Sequence, residues 1–370
     1  MTEKTSASSN RKALLRQIAL PLLALFTALL VSSIPIAMTG TSPLEAYSAL
    51  GEGAFGTQVA NVETLIKATP FILVGLGIAL AFRGGLFNIG VEGQLFVGSA
   101  ITAIIGYSVE LPKLIHIPLA LLGGVLGGAI WAAIPGYLKA RNGAHEVITT
   151  IMFNFIALRI ISWAIGVDGP MREVRSVVPE SPRVFESARL PVLIADSRLH
   201  IGIIIALVAA YIVYWLLWRT VTGFELRTVG ANPNAARYAG INVEFNIVRT
   251  MAISGALAGL AGGIQVLGLE PYNFTTGFNV GLGFDSIAVA VLGSIHPFGV
   301  VLSGYLFGAM DAGARLMQLR TKLPADIITI AQGLILTFVA APQIIRTIYR
   351  IKVSSGDETV NLSELWGGES

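Results

Sequence analysis

Residues 81–101 read AFRGGLFNIGVEGQLFVGSAI and lie within a stretch that is otherwise apolar enough to enter a membrane. They nevertheless contain Arg83, Asn88, Glu92 and Gln94, together with five glycines. Ionisable residues are costly inside a membrane, so they usually face a cavity, pair with each other or lie near a helix end. Glycine weakens a helix, and irregular backbone is tolerated at membrane depth only where protein or water surrounds it. The stretch therefore predicts a broken or re-entrant segment within a bundle of membrane helices.

The composition of the whole chain also indicates a membrane protein. Of its 370 residues, 54% are hydrophobic and 13% are charged, and its mean hydropathy is +0.72. Soluble domains carry about 25% charged residues, so this chain has too little polar surface to cover a water-soluble core. The net charge is only +3, so we attribute the pI near 9.2 to basic cytoplasmic loops and expect no nucleic acid partner. The absence of cysteine excludes disulfides and thiolate metal sites.

Apolar runs separated by polar segments predict an all-α polytopic fold with about eight to ten transmembrane helices, each needing roughly 20 apolar residues. The expected spans cover residues 17–38, 65–82, the opening stretch to about 107, 117–138, 147–165, 201–218, 247–267, 281–314 and 325–345. We expect a cytoplasmic tail over 1–16, a transmembrane domain over 17–349 and a C-terminal tail over 350–370.

Charged residues between the spans set the expected orientation. With the N-terminus inside, the basic connection over 219–246 is cytoplasmic, and the long connection over 168–199 faces outward. Four glycines in the fourth span are spaced so that helix backbones can approach closely in lipid. These are Gly123, Gly124, Gly127 and Gly128.

The connection over 219–246 contains ELRTVGANPNAARYAGI, residues 225–241. The Asn232 side chain can cap the start of a helix, and Pro233 fits its first position. Gly240 fits the left-handed conformation that ends a helix. The pattern predicts a helix of about two turns, which is marginal alone in water and must be held against something. It either packs on the protein's own helices or forms a ridge that docks into a partner.

This segment resembles the coupling loop of permease subunits of ATP-binding-cassette importers, in the branch that handles branched-chain amino acids, simple sugars and nucleosides. GGLFNIGVEGQL (84–95) and GAHEVITTIMFNFIA (143–157) resemble the nucleoside importers of that branch, and FDSIAVAVLGSIHPFGV (284–300) fits as well. The resemblance covers about 65–345 and implies a type II importer-like permease with broken or re-entrant segments. It implies these ATPase-coupling residues: Gly230, Asn232, Pro233, Ala235, Ala236, Tyr238 and Gly240.

Four polar residues within the apolar segments are expected to line the substrate pathway: Asn88, Glu92, Gln94 and Asn154. Their amides can both donate to and accept from the hydroxyls and base edge of a nucleoside. The alternative is that Asn88 and Gln94 join helices by hydrogen bonds and that Glu92 pairs with Arg83.

A second interrupted segment lies at 281–299, and broken segments in two parts of a transporter often mark its pathway. Asp285 and His296 flank a half-length apolar run there, and they either bound its helix or line the path. Asp311 and Arg315 are four residues apart, so we expect them to pair within one helix.

By the resemblance, the chain is the membrane-spanning subunit of an importer for a small polar solute, with a nucleoside first and a simple sugar next. The sequence contains no Gly-Lys pair and therefore no phosphate-binding loop, so it is not expected to be an enzyme and a separate ATPase must hydrolyse ATP. The other expected partners are a second permease subunit, of a different sequence in this family, an extracytoplasmic solute-binding protein or lipoprotein, and the lipid bilayer of a bacterial-type plasma membrane. An ion-coupled secondary transporter is the alternative. No cofactor, metal site or catalytic residue is expected.

Overall fold

Residues 22–195, 197–275, 277, 281–324, 326–340, 344–345 and 348–349 are described by the computed structural model. The tails expected over 1–16 and 350–370 lie outside these residues, as does the start of the first expected span. Within the described ranges the regular structure is helical, apart from two isolated β-bridges. The prediction of an all-α polytopic fold is therefore confirmed.

The described helices follow one another with short connections, except before α7 and before α11. In chain order they are α1 (Leu22–Met38), α2 (Pro43–Phe55), α3 (Gln58–Arg83), α4 (Val91–Ser108), α5 (Lys113–Asn142), α6 (Glu146–Ala164), α7 (Gly202–Arg219), α8 (Val221–Ala231), α9 (Pro233–Tyr238), α10 (Val243–Gly268), α11 (Leu282–Leu292), α12 (Pro297–Thr321) and α13 (Asp326–Ala340). The long connection before α7 contains a short 3₁₀ turn, Glu186–Ala188.

Five of the described helices are long and apolar enough to cross a membrane: α3, α5, α6, α7 and α10. The pair α1 and α2 counts as a sixth if it is one span, although the two helices meet at 116°. α11 is an apolar helix of only 11 residues, which at about 1.5 Å per residue covers about half of the hydrocarbon core. It corresponds to the first half of the interrupted segment predicted over 281–314, and the break lies between Leu292 and Pro297.

Two segments expected to be polar connections are largely helical. The segment over 39–64 contains α2 and the first turns of α3, and Thr57 caps α3 by accepting a hydrogen bond from the Ala60 amide at 3.0 Å. The segment over 219–246 contains α8 in addition to the expected short helix. Polar residues are compatible with both helices because a helix satisfies its own backbone groups wherever it lies.

The chain divides into two units by the density of its internal contacts. One unit comprises the described parts of 1–50 and 314–370, and the other comprises residues 51–313. The boundaries fall within α2 and within α12. Every residue of the candidate site described below belongs to the 51–313 unit.

Glycines bring α4, α5 and α10 close together in the 51–313 unit. A Cβ atom added to Gly128 on α5 would collide with the carbonyl oxygen of Gly255 and lie 2.9 Å from the Gly259 Cα atom on α10. A Cβ atom on Gly98 of α4 would also collide with Gly259. The prediction that glycines in the fourth span allow close helix packing is confirmed, because no larger residue fits between these backbones.

Polar contacts at the helix ends of this unit show which of these ends lie close together. At one end, Arg198 binds Glu63 near the start of α3 at 2.8 Å, and the Leu190 amide donates to the carbonyl of Leu267 at the end of α10 at 2.9 Å. At the other end, Lys139 of α5 binds Glu146 at the start of α6 at 2.7 Å. The end of α10 therefore lies at the same side of the unit as the start of α3, and the end of α5 lies beside the start of α6.

Candidate functional site

The segment between α3 and α4 is a true break in the helical structure. α3 ends at Arg83, Gly85 has a φ of +70°, and α4 begins only at Val91. The Arg83 Nε atom donates to the Ile295 carbonyl at 3.0 Å, and its guanidinium lies 5.6 Å from the ring centre of Trp218. Arg83 is therefore bound to the turn between α11 and α12 and not to Glu92. The prediction of a broken segment here is borne out by the backbone.

Asn88 and Gln94 form a closed hydrogen-bond network across this break. The Asn88 Nδ2 atom donates to Gln94 Oε1 and to Ser254 Oγ on α10, both at 2.9 Å. The Gln94 Nε2 atom and the Gly90 amide both donate to Asn88 Oδ1 at 3.0 Å. Both amide side chains are 1% exposed. Asn88 satisfies the Gly90 amide of the broken segment, and the side-chain bonds tie the segment to α4 and α10. This arrangement fits the alternative in which Asn88 and Gln94 join helices by hydrogen bonds.

Asn154 of α6 supports the same segment from the other side. Its Oδ1 atom accepts from the Gly93 amide at 2.8 Å, and its Nδ2 atom donates to the Ile89 carbonyl at 2.9 Å. Its amide thus replaces two backbone partners that a continuous helix would have supplied. The structure brings Asn88, Gln94 and Asn154 together around one broken segment.

Glu92 joins the two broken segments of the chain. Its Oε1 atom accepts from the amide of Gly281 at 2.9 Å, and Gly281 has a φ of +90° immediately before α11. A carboxylate in this position suits the partial positive charge at the start of a helix. The other oxygen, Oε2, is buried and has no hydrogen-bond partner among the described residues. Glu92 therefore has one carboxylate oxygen without a partner among the described residues, whereas every side-chain nitrogen and oxygen of the three amides has one.

The sequence did not predict a charged pair that involves α3 nearer its start. The Lys67 Nζ atom is 3.1 Å from Asp311 Oδ2 on α12, and the two side chains are 40% and 41% exposed. This exposure is unusual for α3, whose apolar window is 89% buried. Asp285 is close enough to Asp311 and Glu92 for their charges to interact. The signal in the sequence was a lone lysine inside an apolar span, which is rare without a functional or pairing role.

The sequence predicted an ion pair between Asp311 and Arg315, but in the structure Asp311 pairs with a different residue. The carboxylate of Asp311 binds Lys67 of another helix. Spacing of four along a helix allows a pair but does not require it, and an i,i+4 pair contributes only about 0.2–0.5 kcal/mol. A lysine on a neighbouring helix easily competes with such a pair.

α9 has the ends that the sequence predicted. Asn232 Oδ1 accepts hydrogen bonds from the amides of Asn234 and Ala235, both at 3.0 Å, and Pro233 occupies the first position. The helix ends at Tyr238, and Gly240 follows with a φ of +80°. The predicted start, length and left-handed end of this helix are confirmed.

One residue of α9 anchors it and the rest of the helix is free. Ala236 is fully buried against Val229 and Val243, whereas Tyr238 is 95% exposed. Its neighbours Asn234 and Ala235 are exposed as well. Most of α9 is therefore not buried against the other helices of the chain, and its outer face is available to another protein.

His296 and Asp285, which the sequence left undecided, have different surroundings. His296 lies among the rings of Tyr214, Trp218 and Phe298, with centroid distances of 5.1 to 6.0 Å. Tyrosine and tryptophan are typical of membrane–water interfaces, so this cluster marks a helix end. Asp285 lies in the first turn of α11, beside the Glu92 contact.

Comparisons with known proteins agree with this architecture. Residues 61–340 match the family described as the permease component of branched-chain amino acid transport systems. The chain is 42% identical to the guanosine ABC transporter permease protein NupP of Bacillus subtilis, over 90% of this chain and 96% of that protein. It is 32% identical to the nucleoside ABC transporter permease protein NupB of Lactococcus lactis, over 90% and 93% of the two chains.

A sugar permease is also among its relatives. The chain is 31% identical to the glucose ABC transporter permease protein TsgB13 of Haloferax volcanii, over 90% of both chains. No solved structure matches the chain. The family match covers both broken segments and α9, and the chain accordingly belongs to the permease family of branched-chain amino acid transport systems.

Proposed function

We propose that this chain is the membrane-spanning subunit of an ATP-binding-cassette importer that carries a nucleoside into a bacterial cell across the plasma membrane. The observation that carries the proposal is α9, a short helix that is capped at both ends, anchored by Ala236 and otherwise exposed. An isolated helix of this length is marginal in water. A surface helix with such fixed ends is suited to transmit force from a partner.

The partner that drives transport is a separate ATPase, into which α9 docks. The chain contains no Gly-Lys pair and so lacks the loop that cradles ATP phosphates. A second permease subunit of different sequence completes the path, and an extracytoplasmic solute-binding protein or lipoprotein docks on the connection over 168–199. Exposed apolar side chains on that connection, such as Val174 and Val177, support the docking assignment.

A nucleoside is the proposed solute because two relatives of high coverage are named as guanosine and nucleoside permeases. A simple sugar is the second candidate, because a glucose permease is 31% identical over the same share of the chain. Both solutes are uncharged and rich in hydroxyl groups. Transport experiments with both classes decide between them.

The path of the solute runs beside the Glu92 contact, with Asn88, Gln94 and Asn154 holding the broken segment in place. Lys67, Asp285 and Asp311 are partly exposed, and we assign them to the same path. With Glu92 they place three carboxylates against one ammonium group. Such a lining favours solutes that donate hydrogen bonds and repels anions, so it suits a nucleoside and disfavours a nucleotide.

The test is uptake of radiolabelled guanosine by vesicles that contain this chain together with its ATPase, second permease and binding protein. We expect uptake to require ATP hydrolysis and to be competed by other nucleosides more strongly than by glucose or nucleoside monophosphates. Uptake driven by a proton or sodium gradient in vesicles without the ATPase would instead establish the ion-coupled alternative.

A further inference from the structure

The last turn of α8 touches the broken segment through backbone atoms alone. A Cβ atom added to Gly230 would collide with the Arg83 carbonyl oxygen and lie 2.6 Å from the Gly84 carbonyl carbon and 2.7 Å from the Gly85 nitrogen. A Cβ atom on Gly85 would lie 2.8 Å from the Gly230 Cα atom. No side chain stands between the two segments at this point, so the contact exists only because both positions are glycine.

On one side, this contact is rigidly connected to α9. Asn232 ends α8, with its amide donating to the Thr228 carbonyl at 3.0 Å, and the same residue caps α9 with its side chain. Val229 of α8 packs against Ala236 of α9. A single residue joining two helices that also pack together leaves little freedom for α9 to move without α8.

On the other side, the contact leads into the hydrogen-bond network of the broken segment. Three residues after Gly85, Asn88 binds Gln94 of α4 and Ser254 of α10. Beyond it, Glu92 binds the amide of Gly281 ahead of α11. Movement of Gly85 therefore displaces residues that are tied to three other helices.

A contact between backbones differs physically from a contact between side chains. Side chains can absorb a displacement by changing rotamer, but a backbone pressed against a backbone has no such freedom. The Gly230 contact consequently transmits a displacement of α8 towards the broken segment without relief from side-chain rotation. The contact between the Gly84 position and Leu226, a fully buried residue of α8, strengthens the same joint.

The geometry points to Gly230 and Gly85 as the joint through which α9 moves the broken segment that leads into Glu92 of α4. This inference rests on the proposed function, since it assigns the route from the ATPase-docking helix to the solute path. α8, α3 and the broken segment move as one body at this joint, and α4 and α11 follow through the hydrogen bonds of Asn88 and Glu92.

The first experiment compares Gly230→Ala with Gly51→Ala in the complete importer complex. A methyl group on Gly230 separates the two backbones, whereas a Cβ atom on Gly51 in α2 has nothing within 4 Å. We expect Gly230→Ala to lower ATP-driven uptake by about tenfold while complex assembly and ATP hydrolysis persist. Gly51→Ala should remain within about twofold of the unaltered chain. Normal uptake by Gly230→Ala, or a parallel loss of uptake and hydrolysis in an assembled complex, would overturn the inference.

The second experiment tests the joint without relying on the stability of Gly230→Ala. The chain has no cysteine, so Gly84→Cys with Leu226→Cys introduces the only two thiols. A Cβ atom at Gly84 would lie 3.3 Å from the Leu226 Cδ2 atom, so the two positions are within reach of a short thiol cross-linker. It would also lie 2.7 Å from the Thr250 Cγ2 atom, so uptake by the double variant before cross-linking is first compared with that of the unaltered chain. If the two elements move as one body, uptake by the cross-linked double variant should equal uptake by the same variant before cross-linking. Loss of uptake on cross-linking, with recovery after the linker is cleaved, would show that the two elements separate during transport.

The two experiments distinguish failure of this inference from failure of the proposed function. The unaltered chain is assayed in the same vesicles with ATP. If it shows no ATP-driven uptake, the proposed function is wrong; if it transports and the variants behave as controls, only the joint is wrong.

Discussion

His200 illustrates how neighbouring backbone determines the chemistry of one residue. It lies just before α7, is 2% exposed, and accepts a hydrogen bond on Nδ1 from the Gly202 amide at 3.1 Å. A Cβ atom on Gly202 or on Gly268 would lie within 2.6 Å of its ring, so the ring is enclosed between two glycines. Burial lowers the pKa of His200 to about 4, which keeps the imidazole neutral.

This burial makes the stability of the protein depend on pH. The pKa of His200 is lower in the folded chain than in the unfolded one, so the unfolded chain binds more protons between about pH 6.5 and 4. Its contribution to stability is complete above about pH 6.5 and falls as the pH drops towards 4, by about 3 kcal/mol in total. Thermal unfolding of the detergent-purified protein at a series of pH values measures this loss.

His200→Asn provides the comparison for that measurement. Its side-chain oxygen can still accept from the Gly202 amide, but it does not titrate. We expect a shallower loss of stability in acid, whereas His145→Asn, at an exposed position, should leave the slope unchanged. Equal slopes for His200→Asn and the unaltered protein would show that another group is responsible.

The ion pair between Lys67 and Asp311 gives the second prediction at this scale. Asp311→Asn leaves the ammonium of Lys67 without its partner in a partly exposed position, and we expect nucleoside uptake to fall by about tenfold or more. Glu63→Gln breaks the pair with Arg198 at the helix end and should change uptake less than about twofold. Exchange of the two charges, Lys67→Asp with Asp311→Lys, restores the ion pair but reverses the positions of the two charges on the proposed solute path. Recovery of full uptake by the exchanged pair would mean that the pair only stabilises the fold.

At the scale of the element, α9 shows what short-range signals achieve. It has only six residues, so its persistence depends on its N-cap, its following glycine and the single buried contact of Ala236. Tertiary structure added α8, which the sequence had treated as loop, and α8 gives α9 a rigid base. A docking helix with a fixed base can transmit force, whereas the same helix on a flexible loop cannot.

Asn232→Ala tests this dependence. Loss of the cap removes two hydrogen bonds and costs about 1 kcal/mol of helix stability, which is large for a helix of this length. We expect lower ATP-driven uptake and weaker co-purification of the ATPase with an unchanged melting temperature for the purified chain. Asn232→Asp retains an acceptor and should preserve both activities. Equal loss in the two variants would indicate that the amide itself contacts the partner.

The broken segments cannot be explained from their own residues alone. Glycine content predicted that α3 and α4 would be interrupted, and the φ of +70° at Gly85 gives the local reason. The hydrogen bonds of Asn88 and Asn154, which make the interruption tolerable, reach to α10 and α6. Such breaks are stable only because the rest of the bundle satisfies them.

At the scale of the whole molecule, the absence of cysteine makes membrane orientation directly measurable. Tyr238 of α9 and Val177 of the long connection before α7 are each 95% exposed. On the proposed topology, Tyr238→Cys is cytoplasmic and Val177→Cys is extracytoplasmic. A membrane-impermeant maleimide should label Val177→Cys in intact cells, and Tyr238→Cys only after permeabilisation. The reverse pattern would place α9 outside the cell and contradict docking of a cytoplasmic ATPase.

The sequence by itself determined the membrane class of the protein, the approximate position of most spans and both ends of α9. These features depend on interactions between residues close in the chain: the Asn232 cap reaches only three residues, and apolarity is a property of each segment. Local physical chemistry was sufficient because the groups involved are held together by the backbone itself.

Only the tertiary structure decided the partners of the charged and amide side chains. Glu92 binds the amide of Gly281, Lys67 binds Asp311 rather than leaving it to Arg315, and Gly85 touches Gly230. Each pair is formed by residues far apart in the chain, and many acceptors or donors along the sequence were chemically equivalent candidates. The order and direction in which the helices pack selects among them, and no local pattern encodes that choice.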